Sequence, residues 1–201
     1  VTPGIASGIA TSENLAVVSD AFNGMRVVDI SNPASPSIIG SVTLGGVASK
    51  AAISGNLALI ANGSLSSLQV VDISTPTNPV LKSSLNTGSA LDVTAVGNTA
   101  YVSANASGLK IVDISNPVLP TLISTYSGTI ATSSVSGTVA YAEKGVGIDL
   151  VNISNPAGPS KITSVKSVGE TKDVVVANNK IYVADETAEI VIMDIYHDTP
   201  T

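Results

Sequence analysis

Short runs of apolar residues alternate with polar turn residues along the whole chain, at a spacing that predicts β-strands. One stretch reads DVTAV (92–96), AYVSA (100–104), LKIVDIS (109–115) and TLISTY (121–126). Runs of this length that are rich in Val, Ile, Thr and Tyr are typical of strands. The pairs Gly55-Asn56 and Gly97-Asn98 fall where a tight hairpin needs residues that tolerate a positive φ. The stretch therefore predicts a four-stranded antiparallel meander.

The third of these runs recurs along the chain. Its copies are MRVVDISNP (25–33), LQVVDISTP (68–76), LKIVDISNP (109–117), IDLVNISNP (148–156) and the divergent IVIMDIYHD (190–198). Their acid or amide positions lie 43, 41, 39 and 42 residues apart, at Asp29, Asp72, Asp113, Asn152 and Asp194. A glycine ten residues before a turn residue marks the same frame, as in Gly46 to Asn56 and Gly88 to Asn98. This period in a strand-rich chain is that of one propeller blade, whereas HEAT and armadillo repeats of similar length are helical.

The third run also predicts how a blade is packed and how its strand ends. Leu109 and Ile111 alternate with Val112 and Ile114, so both faces of the strand are expected to be buried, as between stacked blades. The aspartate before Ser-Asn-Pro is expected to accept backbone N–H bonds and start a turn, and the proline to end strand pairing. We favour this structural role for the motif over a role in ligand binding.

Through LQVVDIS, LKIVDIS and MRVVDIS the chain resembles the LVIVD-repeat propellers of bacterial and archaeal cell-surface proteins. The resemblance covers essentially the whole chain and departs at 148–154, where Asn152 replaces the acid, and at 190–198. It implies a toroidal β-propeller and a surface location, and no particular chemistry.

The predicted architecture is therefore all-β, with one β-propeller domain over residues 1–201. The blades are expected at roughly 4–45, 46–87, 88–127, 128–168 and 169–201, with residues 1–3 available to close the ring. A closing strand built from both ends would be short by about five residues. Five blades are favoured, and a fragment of a six- to eight-bladed ring is the alternative.

Composition narrows the function classes. A net charge of −6 with nine scattered Lys and Arg residues argues against nucleic acid and anionic membranes as partners. The absence of cysteine removes disulfides, thiolate catalysis and Cys-based metal sites, and the single His197 excludes multi-histidine sites. No run approaches the roughly 18 apolar residues of a membrane helix. We expect no cofactor, no metal and no membrane insertion within this chain.

Candidate binding residues lie where the copies differ. In a propeller the entrance to each innermost strand and the loop between the second and third strands share one face, where ligands commonly bind. These loops are 19–24, 61–67, 103–108, 142–147 and 184–189. The resulting candidates are Asp20, Asn62, Asn105, Glu143, Lys144, Asp185 and Glu186 in the loops and Lys50 at a strand entrance.

Three further sets of residues suggest particular roles. Asp92 and Asp173, at equivalent strand entrances, are weak catalytic candidates for an acid–base pair across the channel mouth. Tyr101, Tyr141 and Tyr182 hold equivalent second-strand positions and are expected in the core. Asn62 and Asn105 begin Asn-x-Ser sequons and are candidate glycosylation sites in variable loops.

Two functions remain open from the sequence. The first is a non-enzymatic extracellular or cell-surface interaction or structural module, adhesive in character, that binds a protein or glycan through its variable loops or associates with itself. The second is a hydrolase or lyase that uses the channel-mouth carboxylates.

Overall fold

The computed structural model describes residues 4–195, which form nineteen strands in five antiparallel sheets. Blade 1 contains β1 (Gly8–Ser12), β2 (Leu15–Ser19), β3 (Met25–Asp29) and β4 (Ser37–Val42). Blade 2 contains β5 (Ala48–Ser54), β6 (Leu57–Asn62), β7 (Ser67–Asp72) and β8 (Val80–Asn86). Blade 3 contains β9 (Asp92–Val96), β10 (Thr99–Ser103), β11 (Leu109–Asp113) and β12 (Thr121–Tyr126). Blade 4 contains β13 (Ser133–Ser136), β14 (Val139–Glu143), β15 (Ile148–Asn152) and β16 (Ser160–Val165), and blade 5 contains β17 (Thr171–Ala177), β18 (Lys180–Asp185) and β19 (Glu189–Asp194).

Each blade is the meander that the strand pattern predicts, with sequential strands paired antiparallel. The first hairpin of each blade turns through a residue at positive φ, such as Gly55 (54°) and Gly97 (55°). The sequence did not show that the pairing of the third and fourth strands shifts register at one equivalent place in blades 1 to 4, as between Ile111 and Val112. Such a bulge bends the outer strand and increases its twist.

One backbone hydrogen bond explains why the turn residue and the repeated motif keep a fixed spacing. In every blade the isoleucine after the motif's acid or amide position donates its N–H to the carbonyl of the first hairpin, as in Ile73 to Asn56 (2.8 Å) and Ile114 to Asn98 (2.9 Å). The bond joins the end of the third strand to the hairpin of the first two. A copy that changed this spacing would leave a backbone donor without its acceptor.

The motif's acid has the turn role that the sequence predicts. Asp72 accepts the N–H of Ser74 at 2.9 Å and Asp113 that of Ser115 at 2.8 Å. Asn152 accepts the same bond from Ser154 at 2.9 Å, so the amide replaces the acid without loss of the turn. Hydrogen bonds from Ser74, helped by Lys82, lower the pKa of Asp72 to about 2.

The five blades form a β-propeller, as the sequence predicts. Innermost strands β1, β5, β9, β13 and β17 follow one another around the axis. Four apolar cores fill the interfaces between consecutive blades. In each core, the face of one blade that points toward the next blade packs against the face of the next blade that points back toward it. We name these the following face and the preceding face of a blade. Because interior blades bury both faces, their third strands are apolar at both alternating positions.

The three tyrosines at equivalent second-strand positions differ in burial. Tyr101 and Tyr141 are buried core residues, as predicted, whereas Tyr182 is only half-buried because it lies on the following face of blade 5. The closing strand expected from residues 194–201 and 1–4 lies largely outside the described residues, as does His197. Between residues 4 and 195 no helix is long and apolar enough to cross a membrane.

Candidate functional site

The top face of the propeller carries the entrances of the innermost strands and the loops between second and third strands. Antiparallel pairing brings them together, since the start of β1 at Gly8 pairs with the end of β2 at Ser19 and the start of β9 at Asp92 pairs with Ser103. We use "top face" for this surface and "bottom face" for the opposite surface, which carries the Ser-Asn-Pro turns. The predicted grouping of strand entrances and variable loops on one face is therefore present.

The two candidate catalytic aspartates lie within hydrogen-bond distance of the same hydroxyl group at the channel mouth. Thr132 Oγ1 lies 2.7 Å from Asp92 Oδ2 and 3.0 Å from Asp173 Oδ1. Asp92 also accepts the N–H groups of Val93 and Ser133, and Asp173 that of Val174. Because a hydroxyl has one hydrogen, Thr132 donates to only one carboxylate at a time. The other carboxylate can accept a hydrogen bond from a ligand at the axis.

Several predicted binding residues are instead buried in their own loops. Asp185 accepts the N–H groups of Gly169, Thr187 and Ala188 at 2.8–3.1 Å, and these bonds lower its pKa despite its burial. Asn62, at the equivalent place in blade 2, accepts the N–H of Leu65 through Oδ1 and donates from Nδ2 to Gly45 O. These side chains organise the loops, and their polar atoms face the protein interior.

Asp20 holds the same position in blade 1, and with Asn62 and Asp185 it accounts for the glycine that marks the repeat in blades 1, 2 and 5. It is fully buried and accepts a hydrogen bond and ion pair from Arg26 at 3.1 Å. A Cβ added to Gly4, Gly46 or Gly169 would overlap the side chain of Asp20, Asn62 or Asp185, respectively. In blades 1, 2 and 5 the landmark glycine therefore makes room for the residue that holds the loop.

In blade 4 the loop is held one residue earlier, by Glu143. Glu143 is buried and accepts the N–H of Ala131 at 3.1 Å and that of Gly145. The neighbouring Lys144 is exposed, and its Nζ lies 3.2 Å from Asp149 Oδ2. Of the candidates in this loop, only Lys144 presents part of its side chain to solvent.

Asp149 is the centre of a polar cluster that sequence reasoning missed. It is buried and accepts hydrogen bonds from Ser164 (2.5 Å), Tyr126 (2.8 Å) and Lys144. Burial opposes its ionisation, but these three donors outweigh burial and lower the pKa of Asp149. Burial and the bond to Asp149 raise the pKa of Tyr126 to about 12. A charged residue inside an otherwise apolar third-strand segment was the signal in the sequence.

The remaining candidates lie at the surface. Asn105 is exposed, with a positive φ of 50°, and Lys50 is exposed beside the axis. Glu186 is exposed and lies 3.6 Å from Lys172 Nζ, which also bonds Glu170 at 2.8 Å. Among the residues described, no three acidic, histidine or cysteine side chains converge as a metal site would require.

The two sequons differ in accessibility. Asn62 is fully buried, and its Nδ2 donates to Gly45 O at 2.8 Å and to Gln69 Oε1 at 3.1 Å. Asn105 is exposed in its loop. In the folded protein only Asn105 of this pair presents an amide that a glycosylating enzyme can reach.

Large apolar side chains at the loop tips are the second feature that sequence reasoning missed. Phe22, Leu65 and Val146 lie in the top-face loops of blades 1, 2 and 4, and all three are exposed, with Phe22 at 72%. Each is an apolar residue inside a segment of Gly, Ser, Asn or Lys, which was a readable signal. We name these three residues the apolar tips.

The fold and its repeated blade define the class: a β-propeller with loops of variable sequence on a constant frame. LVIVD repeats match residues 3–44, 45–87, 87–128, 131–167 and 168–198. The chain belongs to the LVIVD repeat family.

Comparison with solved structures supports the fold alone. The crystal structure of the computationally designed Ika8 protein superposes with a TM-score of 0.73 at 12% sequence identity, over 93% of this chain. The chain spans 57% of the length of that protein. No curated protein matches this sequence.

Proposed function

We propose that this protein is a non-enzymatic interaction module that binds a protein or glycan through its top-face loops. The observation that carries the proposal is the exposure of the apolar tips Phe22, Leu65 and Val146, which all lie on that face. Aromatic residues are enriched in protein interfaces, and the buried core of an interface is more apolar than the rest of the protein surface. The apolar tips favour a protein partner, with exposed Asn105, Lys144 and Glu186 as polar contacts around them.

A second argument is that the top-face loops differ from blade to blade on a repeated frame. Strand pairing, hairpins and bottom-face turns repeat from blade to blade, whereas the top-face loops carry unlike side chains. A partner-specific surface on such a frame is encoded in those loops. The surface location that the family resemblance implies agrees with an adhesive or scaffolding role outside the cell, and it belongs to the same proposal.

The test is a binding screen on a glycan array and on a panel of purified cell-surface and secreted proteins. Any ligand found is then offered to Phe22→Ser/Leu65→Ser/Val146→Ser and to Val118→Ser, whose apolar side chain is exposed on the bottom face. We expect the triple variant to lose at least tenfold in affinity and Val118→Ser to bind as the wild type does. Binding that survives the triple substitution, with both variants folded, contradicts the proposal.

Grafting the loop 103–108 into the other four positions gives a second test of the surface. Because the graft replaces the buried loop residues Asp20, Asn62, Glu143 and Asp185, circular dichroism and a thermal melt first check that the grafted protein is folded. Recognition of the ligand is expected to be lost. A grafted protein that binds with wild-type affinity would place the site in loop 103–108 itself, on the bottom face or on the outer strands.

The alternative function is a hydrolase or lyase, and the convergence of Asp92 and Asp173 on Thr132 is the observation that favours it. An acid–base pair requires two carboxylates in different protonation states within reach of one substrate. Turnover of chromogenic ester or glycoside substrates that disappears in both Asp92→Asn and Asp173→Asn would favour this alternative over the binding module.

A further inference from the structure

Blade 5 exposes a face that the four other blades bury. Ile190 on β19 is 68% exposed and Ile192 is 57% exposed. The residues at the position of Ile190 in blades 1 to 4 are Met25, Leu68, Leu109 and Ile148, and all four are buried. Together with Val175 and Tyr182, Ile190 lines an apolar groove of about 210 Å³ on this face.

On blade 1 the complementary face is exposed at Ile9, whereas Ala16 and Val18 of β2 on the same face are buried. Ile9 on β1 is 66% exposed, whereas Val93 and Val174, at the equivalent position in blades 3 and 5, are buried against the blade before them. Ile9 and Val18 line a cleft of about 460 Å³ with Lys50 at its edge. The exposed surface of blade 1 is therefore a preceding face, and that of blade 5 is a following face.

The four internal interfaces show what fits between two such faces. Each buries an apolar following face against an apolar preceding face, as when Tyr101 and Ile111 of blade 3 pack with Ala140 and Val151 of blade 4. Within the part of the chain that the structure describes, no apolar core joins blade 5 to blade 1. Both halves of a fifth interface of the same kind are thus present on one molecule and separated.

We propose that the chain self-associates head to tail, with the following face of blade 5 in one copy packed on the preceding face of blade 1 in a second copy. The contact continues the blade-on-blade packing that already exists four times within the chain, and the partner is a second copy because it carries the matching face. Such an interface is heterologous: each copy uses a different surface, so assembly either closes into a ring of copies or continues.

The experiment uses two variants that each damage one face. Ile190→Lys damages the following face and leaves Ile9 intact, and Ile9→Lys does the reverse. Since both side chains are largely exposed, neither lysine disturbs the packed cores, and circular dichroism checks the fold. Val118→Lys, an equally exposed apolar position in a bottom-face turn, is the matched control. Sedimentation velocity over roughly 1–200 μM measures the oligomeric state.

We expect the wild type and Val118→Lys to associate with rising concentration, and each face variant alone to dissociate with at least a tenfold higher Kd. An equimolar mixture of Ile190→Lys and Ile9→Lys should form a dimer and nothing larger, because one intact following face remains for one intact preceding face. A wild type that stays monomeric overturns the proposal. Association that survives both substitutions, or a mixture that fails to form the dimer, overturns the head-to-tail arrangement.

Discussion

At the scale of single residues, the repeated aspartate and the buried Asp149 use the carboxylate in two ways. At the protein surface, Asp29 and Asp113 accept hydrogen bonds from residues two positions later in the chain. These bonds, from Ser31 and Ser115, lower the pKa values of the two carboxyl groups. Asp149 is buried and depends on donors from other strands, notably Tyr126 and Ser164. The first role can be filled by any short acceptor, as Asn152 shows, whereas the second requires a charge with several matched donors.

Two substitutions of Asp113 distinguish the effect of losing the hydrogen-bond acceptor from the effect of losing the negative charge. Asp113→Asn is expected to keep the bond to Ser115, as Asn152 does in blade 4, and to leave the thermal midpoint within about 1 °C of the wild type. Asp113→Ala leaves the Ser115 N–H without its protein acceptor and should lower the midpoint by roughly 2–4 °C at pH 7. Circular dichroism melting curves measure both values. Equal losses in the two variants would show that the charge matters more than the acceptor.

Tyr126→Phe tests the cluster around Asp149 through its pH dependence. Because the pKa of Asp149 is lowered from 3.8 in the folded protein, its ionised form contributes stability above that pH, and the contribution is lost as the pH falls through the folded-state value. Removing the Tyr126 hydroxyl is expected to lower the free energy of unfolding by about 1 kcal/mol at pH 7, and by less at an acid pH below the folded-state pKa of Asp149.

Urea unfolding at the two pH values measures the difference between Tyr126→Phe and the wild type. Tyr141→Phe is the control, since the structure describes no carboxylate bonded to the Tyr141 hydroxyl among residues 4–195. A Tyr126→Phe effect of the same size at both pH values would mean that packing, rather than the bond to Asp149, accounts for the loss.

At the scale of strands and turns, each blade is also tied to the next through its outer strand. Ser83 donates to Pro117 O of the next blade at 2.7 Å, and Ser124 donates to Pro156 O at 2.5 Å. These prolines belong to the repeated motif, so the turn after the third strand presents its proline carbonyl to the preceding blade. In blade 1 the equivalent residue is Gly40, which lies directly against Pro76.

Gly40→Ala is expected to cost more than loss of one of these serine bonds. A Cβ on Gly40 would overlap the Pro76 carbonyl oxygen, and because that oxygen is backbone, the blade 1–blade 2 contact must shift. Overpacking of this kind costs about 1–3 kcal/mol. Ser83→Ala, the control at the equivalent position, loses one hydrogen bond of about 1 kcal/mol. Denaturant unfolding compares the two, and a Gly40→Ala protein as stable as the wild type would contradict this account.

The sequence predicts elements better than it predicts the surface. Asp92–Val96, Leu109–Asp113 and the hairpin at Gly97 follow from alternation and turn chemistry, which are local. The register shift after Ile111 does not, because it depends on pairing between strands. Asp185 looked like a surface residue since loop acids are usually solvated, but whether such a side chain turns outward or into its own loop is decided by the loop's backbone donors.

At the scale of the whole molecule, the blades are not equivalent, because neighbours on both sides bury blades 2, 3 and 4. Blades 1 and 5 each have one packed face and one exposed face, shown by Ile9 and Ile190. In repeat proteins, stability is close to a sum of repeat terms and nearest-neighbour interface terms. An end blade has only one interface term, so it should open at lower free energy than an interior blade.

Hydrogen exchange measured by mass spectrometry on dilute protein tests this gradient. Peptides from β6 and β10 are expected to be the most protected, and those from β2 and β18 the least, because local opening of an end blade exposes one interface instead of two. The comparison uses second strands throughout, which are paired on both sides in every blade, so strand position within the sheet does not differ. Ile9→Lys and Ile190→Lys should leave the gradient in place, since neither touches an internal core. Equal protection in all five second strands would show that the blades unfold as one unit and that the exposed faces of blades 1 and 5 do not lower the stability of those blades.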